Sequence, residues 1–221
     1  MKLTVDAVVF GYQEKDLKVL LIKRRYDPFK NKWALPGGFV QENESLEDAV
    51  HRELNEETGI DTTYLEQLYT YSEPHRDPRG RIISTAYYCL VNPKSFTVVE
   101  NSNEATEVSW FSVDTLDNLG FDHLHIIEDA VNRLRGKIRY QPIGFELLPT
   151  VFPFKEVQAI YETILGVKFN RGNFRTKFLK LGVVKETNQI ESGVSHRPAK
   201  MFTFDKDAYW KKSNEGYYFE I

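Results

Sequence analysis

From Thr4 to Phe10 the chain runs through Val5, Ala7, Val8 and Val9, and from Leu17 to Lys23 through Val19, Leu20, Leu21 and Ile22. Two strand-like apolar runs with the polar stretch Gln13–Asp16 between them predict a hairpin. The period then changes. Leu46, Ala49, Val50 and Leu54 fall on one face at helical spacing, so Glu47–Thr58 reads as a helix closed by Gly59. Strand composition returns in Tyr64–Tyr71, Arg81–Val91 and Thr106–Phe111. Leu124–Leu134 is again helical, with Ile126, Ile127, Ala130, Val131 and Leu134 on its apolar stripe. Strands interleaved with two amphipathic helices predict an α+β fold whose N-terminal part is an α/β/α sandwich.

Glycine and proline then interrupt the pattern at Gly136, Pro142, Gly144 and Pro149. The domain boundary is placed there, giving domains 1–140 and 141–221. The apolar residues Ile143, Phe145, Leu147 and Leu148 make a packed junction the expectation rather than a loose linker. Beyond it, Phe154–Leu165 has apolar residues at Val157, Ile160, Tyr161 and Ile164, and Gly166 is placed to end that helix. After the short turn Val167–Asn170, a second helix runs to about Leu181 with Phe174, Phe178 and Leu181 facing inward. Its outer face is expected to carry Arg171, Asn173, Arg175, Thr176, Lys177 and Lys180. Val183–Glu186, a polar tip at Asn188–Ser195 and Lys200–Phe204 read as a hairpin, with His196, Arg197 and Lys200 on its returning side. Helix, glycine turn, basic helix and hairpin are the arrangement of a winged helix-turn-helix.

Charge sharpens that reading. The whole chain carries a net charge of −3, yet residues 141–221 hold 12 Lys and Arg against 9 Asp and Glu. Between Gly166 and Lys200 there are eight basic residues and only two acidic ones, Glu186 and Glu191. Such a local excess is the footprint of a polyanion-binding surface. Arginine and lysine there would attract phosphates, and Arg171 or Asn173 near the helix start would reach base edges. Hydrophobic content of 41% is enough for real cores, and no apolar run reaches the roughly 18 residues of a membrane span. The single cysteine, Cys89, lies inside an apolar strand and reads as buried filler. The expectation is a soluble cytoplasmic protein with no membrane association.

The densest chemistry lies between residues 38 and 60. Gly38 is followed after five residues by Glu44, and after seven more by Arg52-Glu53-Leu54-Asn55-Glu56-Glu57-Thr58-Gly59-Ile60. On a helix Glu53 and Glu57 share a face, with Glu56 beside them. Carboxylates about 5 Å apart repel by roughly 3 kcal/mol at an effective dielectric of 20, so the cluster is expected to recruit Mg²⁺, a hard cation that takes oxygen ligands. Arg52 and Glu44 are expected to pair and hold the loop to the helix. Gly37 and Gly38 let the backbone approach the site closely. Lys23, Arg24 and Arg25 end a strand near enough to meet phosphates or solvent. The charged turn Arg76–Arg81 is open to lining either a pocket or a dimer surface. None of the five histidines has zinc-like spacing.

Those 23 residues match the signature of the Nudix superfamily at every fixed position. With Trp33–Val40, Tyr64–Tyr71, the Arg76–Arg81 turn, Gln141–Pro149, Asn173-Phe174-Arg175 and Arg197-Pro198-Ala199-Lys200, the chain resembles the Nudix-related transcriptional regulators over nearly its whole length. It is most similar to their arabinose-responsive, sugar-utilisation branch. The resemblance implies a Nudix-like effector domain joined to a winged helix, and a homodimeric repressor on a palindromic double-stranded operator. Two recognition helices would then lie about 34 Å apart, one turn of DNA. Its small-molecule effector would be a pentose sugar or, as in the branch governing NAD metabolism, ADP-ribose. No cofactor would be required for regulation. The competing reading is a Mg²⁺-dependent ADP-ribose or nucleotide-sugar pyrophosphatase, in which Glu53, Glu56 and Glu57 hold metal and activate water.

Overall fold

The computed structural model describes all residues except 63, 98–103, 194–196, 216–219 and 221. It divides into two compact units, Met1–Arg133 and Leu134–Ile221. In the first, β1 (Lys2–Gln13) and β2 (Asp16–Arg24) form the expected hairpin, registered from Phe10 opposite Val19 to Gln13 opposite Asp16. Glu14 and Lys15 form its two-residue loop, both at positive φ, the geometry that matches the twist of paired strands. Residues 4–11 of β1 are buried without alternation, because this strand lies in mid-sheet with both faces covered.

Five further strands complete that sheet around the hairpin. They are β3 (Trp33–Ala34), β4 (Gly37–Phe39), β5 (Leu65–Tyr71), β6 (Ile82–Val91) and β7 (Ala105–Ser112), with β1 and β2 making seven in all. The order runs β3-β2-β1-β6-β5, with β4 added to β1 and β7 to β2. β1 and β6 run parallel over ten residue pairs, whereas the other pairings are antiparallel. Helix α1 (Leu46–Thr58) starts from a capping box between Ser45 and Asp48 and ends at Gly59 in the left-handed conformation. It buries Ala49, Val50 and Leu54 against the sheet face formed by Val5, Ala7, Val9 and Tyr87. Asp6 points to the opposite face and meets His123, the first residue of α2 (His123–Lys137). On that side Ile126, Ile127 and Ala130 are buried, and the Tyr71 hydroxyl donates to Asp129 at 2.9 Å. The two covered faces make the α/β/α sandwich. Cys89 is a buried free thiol, and burial pushes its pKa up to about 12.

The second unit holds β8 (Phe152–Pro153), α3 (Phe154–Leu165), α4 (Arg171–Leu181), β9 (Val184–Ile190), β10 (Lys200–Phe204) and α5 (Lys206–Asn214). β8, β10 and β9 form a three-stranded antiparallel sheet. Gly166 ends α3 in the left-handed conformation, and the Asn170 side chain caps α4 by accepting from the Asn173 backbone N–H. This is a winged helix. Its core is aromatic. Phe145 stacks on Phe204 at 4.2 Å, and Phe178 meets Phe145, Phe154, Tyr161 and Phe174 at 4.6–6.0 Å between centroids. The strand β9 continues to Ile190, beyond the Glu186 end that composition suggested, since cross-strand pairing with Lys200 outweighs weak local propensity. Among the described residues, no helix is long and apolar enough to cross a membrane.

Phe178 is fully buried in this cluster. Phe178→Ala is expected to remove roughly 3–5 kcal/mol of stability. The check is a urea titration followed by fluorescence, in which the midpoint falls while the slope holds.

Candidate functional site

The turn before α1 is where the sequence signature becomes geometry. Gly37, at φ 154, packs so closely on β1 that a Cβ there would lie 2.2 Å from the Val5 carbonyl oxygen. At Gly38 a Cβ would lie 2.2–2.6 Å from the Glu53 carboxylate. Only glycine leaves room for helix and loop to meet this way. Into that contact α1 sends Glu57, whose Oε2 accepts from the Gly37 N–H at 2.8 Å. Its other oxygen, Oε1, is buried with no hydrogen-bond partner among the described residues. Burial pushes the Glu57 pKa up to about 8, with Glu53 and Glu104 adding to the shift against the Gly37 bond.

Arg52 organises the rest of the signature. It forms the expected pair with Glu44, through Nε at 2.9 Å and Nη2 at 2.6 Å, and also donates to the Phe39 carbonyl at 3.2 Å. The Arg52 hydrogen bond and the Gln41 N–H hold Glu44 down at about 2. Arg52 further reaches Glu53 at 2.7 Å and Glu56 at 3.5 Å. The three-carboxylate cluster expected from spacing is therefore not assembled. Glu53 is drawn to Arg52, Glu56 is largely exposed, and Glu57 turns inward to Gly37. Among the described residues no three Asp, Glu, His or Cys side chains gather as a metal cluster. The orphaned Glu57 oxygen next to a desolvated Glu53 nevertheless suits a hard divalent cation, whose charge would relieve both. Burial, opposed by Arg52, raises the Glu53 pKa.

A cleft opens over the Gly37–Gly38 turn; its lining joins Arg24 and the Arg76–Arg81 turn, both singled out in the sequence, to Thr4, Asp6, Phe121 and His123, which carried no signature. Of the three consecutive cations at the end of β2, Lys23 pairs with Glu107 and Arg25 donates to the Ala105 carbonyl, both toward β7. Arg24 enters the cleft, its Nε held by the Pro28 carbonyl at 2.8 Å. Burial first, then the charge of Arg79, lowers the Arg24 pKa. The Arg76–Arg81 turn also belongs here. Arg76 is buried, and its guanidinium grips both oxygens of Asp122 at 2.9 and 2.6 Å while lying 3.6 Å from Asp6. Arg79 binds Asp77 and lies over the rings of Phe39 and Phe121. Trp33 packs edge-on against Phe111 at 4.6 Å. Exposed Glu104, missed in the sequence, adds negative field at Glu53 and Glu57.

His123 ties this lining to the loop. Its Nδ1 accepts from the Leu35 backbone N–H at 2.8 Å, which leaves the ring proton on Nε2, 3.5 Å from Asp6. Asp6 in turn accepts from the Ser84 hydroxyl. One chain of contacts thus joins Ser84, Asp6, His123 and Leu35 beneath the glycine turn.

In the second unit α4 presents Arg171, Asn173, Thr176, Lys177 and Lys180 as exposed side chains. Arg175 departs from the outer face assigned to it. Its guanidinium lies 5.0 Å from the rings of both Phe154 and Phe202, linking α4 to the start of α3 and to wing strand β10. At that helical angle the aromatic core offers a better surface than water for the flat guanidinium. Lys200 pairs across the wing with Glu186. Arg197 is exposed, and His196 lies outside the described residues.

Comparison with known proteins gives two family matches, the NUDIX domain over residues 2–130 and the NrtR DNA-binding winged helix domain over residues 144–204. An "ADPR responsive transcriptional repressor NtrR" of Acinetobacter baylyi is 38% identical over 212 residues, covering 94% of this chain and 83% of its own length. The crystal structure of Shewanella oneidensis NrtR with a 27mer DNA superposes with a TM-score of 0.82 at 32% identity, covering 98% of this chain and 97% of that one. The NUDIX domain of the same S. oneidensis protein, in complex with ADP ribose, matches 61% of this chain and 88% of its own at 40% identity and a TM-score of 0.58.

Burial lowers the His123 pKa, so the ring stays neutral in the folded protein while it titrates near 6.5 when unfolded. The unfolded state then binds more protons, and this contribution to stability is full above about pH 6.5 and lost as pH falls toward the folded value. Asparagine offers an amide oxygen where Nδ1 sits. His123→Asn is therefore expected to keep the Leu35 bond and remove the acid-side loss. Thermal melts across this pH range are the check, and an unchanged slope would place the loss elsewhere.

Proposed function

The chain belongs to the Nudix family and carries a winged helix of the NrtR DNA-binding kind, and from that membership we propose that it is a DNA-binding transcriptional repressor whose Nudix domain senses ADP-ribose. The observation that carries the proposal is the conjunction of both modules over almost the full length of an ADP-ribose-responsive repressor. The relatives support this effector over arabinose, for which they offer nothing. The cleft chemistry fits the same choice. Arg24 and Arg79 supply charge-assisted donors of the kind a diphosphate needs.

On the DNA side, Arg171, Asn173, Thr176, Lys177 and Lys180 would meet the major groove and its phosphates, with Arg197 and Lys200 of the wing beside them. Arg175 would act by holding helix to wing. A homodimer on a palindromic operator follows from the two-fold logic of such repressors. ADP-ribose would release the operator by binding the DNA-incompetent form more tightly, and only that difference in affinity shifts the population.

A second reading, hydrolysis of ADP-ribose, is favoured by one observation, the unpartnered Glu57 oxygen. Glu57 and Glu53, joined by Glu56, would hold Mg²⁺, and the ion would supply charge neutralisation for a diphosphate. Repression and turnover are compatible in one chain.

The test is a titration of the protein into DNA from its own upstream region at fixed salt, with and without ADP-ribose or arabinose. Release by ADP-ribose alone is the expected result; release by arabinose alone, or no specific binding at all, sinks the proposal. Lys177→Ala is expected to weaken binding at unchanged melting temperature and lower the salt slope by about one. Arg175→Ala is expected to lower both affinity and melting temperature. Product formation from ADP-ribose with Mg²⁺, abolished in Glu57→Gln, would establish the second reading.

A further inference from the structure

Over the glycine turn, cations and aromatic rings alternate in one run. Lys2 Nζ lies 5.1 Å from the Phe39 ring centroid, and the Arg79 guanidinium lies 5.0 Å from the same ring. Arg79 is also 5.4 Å from the Phe121 ring, on which Arg24 sits at 4.9 Å. Three cations are thus spaced by two rings, and Arg79 is the one between both. Each flat guanidinium–ring contact is worth about 0.5–1 kcal/mol where water has access.

The five residues are not held alike. Arg24 is half-buried and fixed by the Pro28 carbonyl, and Phe121 is wedged by Phe29 at 4.7 Å and by His123 at 5.1 Å. Phe121 also sits at φ 55, a conformation that a bulky side chain adopts only when its surroundings impose it. Arg79 instead rides on a short reverse turn, closed by the Gly80 N–H donating to the Asp77 carbonyl at 3.3 Å. The turn is pinned on one side by buried Arg76 and on the other by the Arg81 carbonyl, which accepts from the Lys2 N–H at 3.1 Å. Between those pins Asp77 and Arg79 line the cleft, and about a third of the Arg79 side chain is exposed. Its local partner is Asp77, bonded through Nε, Nη2 and the backbone N–H.

We infer that Phe39 and Phe121 are the two walls of a seat for the planar base of a nucleoside diphosphate, and that Arg79 fills this seat until the ligand arrives. A guanidinium and a purine are both flat and both stack on aromatic faces, so one can replace the other between the same walls. Once displaced, Arg79 remains tethered through the turn close to Arg24, where its charge meets the diphosphate of the same ligand. Arg79 then costs affinity for a base presented alone and returns it for a base that carries phosphates. The cleft would thereby discriminate a nucleoside diphosphate from a free nucleoside. This inference rests on the effector reading above and deepens it by naming how that site selects its ligand.

The experiment measures equilibrium binding of adenosine and of inorganic pyrophosphate to the full chain by calorimetry. It compares the wild type, Arg79→Ala, Phe121→Ala and the double variant, each checked for folding by near-UV circular dichroism. Arg79→Ala is expected to bind adenosine roughly five- to thirtyfold tighter than the wild type, the yield of two vacated ring contacts. Pyrophosphate, which has no base, should gain nothing, and Phe121→Ala should abolish the adenosine gain in the double variant. Adenosine binding that is weakened or unchanged by Arg79→Ala, or undetectable in both proteins, overturns the inference, as does an equal gain for pyrophosphate. Release of operator DNA by ADP-ribose is read separately, so a failed effector reading is distinguishable from a failed seat.

Discussion

The hydrogen bond from the Gly37 N–H to Glu57 joins loop, helix and sheet at a single point. It holds a buried carboxylate against a backbone that has no side chain to spare, because a Cβ on either glycine would strike Val5 or Glu53. The glycine strand β4 can then lie on β1, and Leu35 just before it reaches His123 on the far face of the sheet. Arg52 secures the same loop from outside through Glu44 and the Phe39 carbonyl. Loosening this join would free the turn on which the cleft is built, and with it the wall residue Phe39.

Signals with a period or a fixed spacing were legible in the sequence. The two amphipathic helices of the first unit, the basic helix with Phe174, Phe178 and Leu181 inward, and the Arg52–Glu44 pair all follow from residue spacing. The lining of the cleft was legible in part: Arg24 and the Arg76–Arg81 turn stood out as charged candidates, but Asp6, Phe121 and His123 did not, because these segments converge only through sheet topology. Spacing puts three carboxylates near one another; Arg52 draws Glu53 and Glu56 toward itself, while Glu57 stays at Gly37. Helix α5 escaped notice because it buries no residue, so no apolar stripe marks it; Asp205, accepting from the Ala208 N–H, was the available sign. β8 is two residues long and exists through its partner β10.

Arg175 illustrates how composition can name a residue and misplace the face it occupies. On charge alone it belongs with Lys177 and Lys180. Its position on α4 instead turns it toward Phe154 and Phe202, where it joins three elements of the winged helix. An aromatic core of this kind leaves few flexible side chains between α4 and the wing, so the exposed cations are presented on a stiff support. Preorganisation of that sort limits the entropy lost on binding DNA.

The parallel pairing of β1 with β6 has a consequence for synthesis. The strand that begins at Lys2 finds its partner only at Ile82, about eighty residues later. While the chain emerges from the ribosome, β1 and β2 can close their hairpin at once, but the buried run from Thr4 to Gly11 must wait with one edge open. Everything in the cleft waits with it, since Asp6 and the seat for β4 lie on that strand. The nascent first unit therefore passes through an interval in which a long apolar strand is made and paired on one edge alone. An open edge beside exposed apolar surface is what makes a chain prone to aggregate, so the hazard lies in that interval rather than in the finished fold.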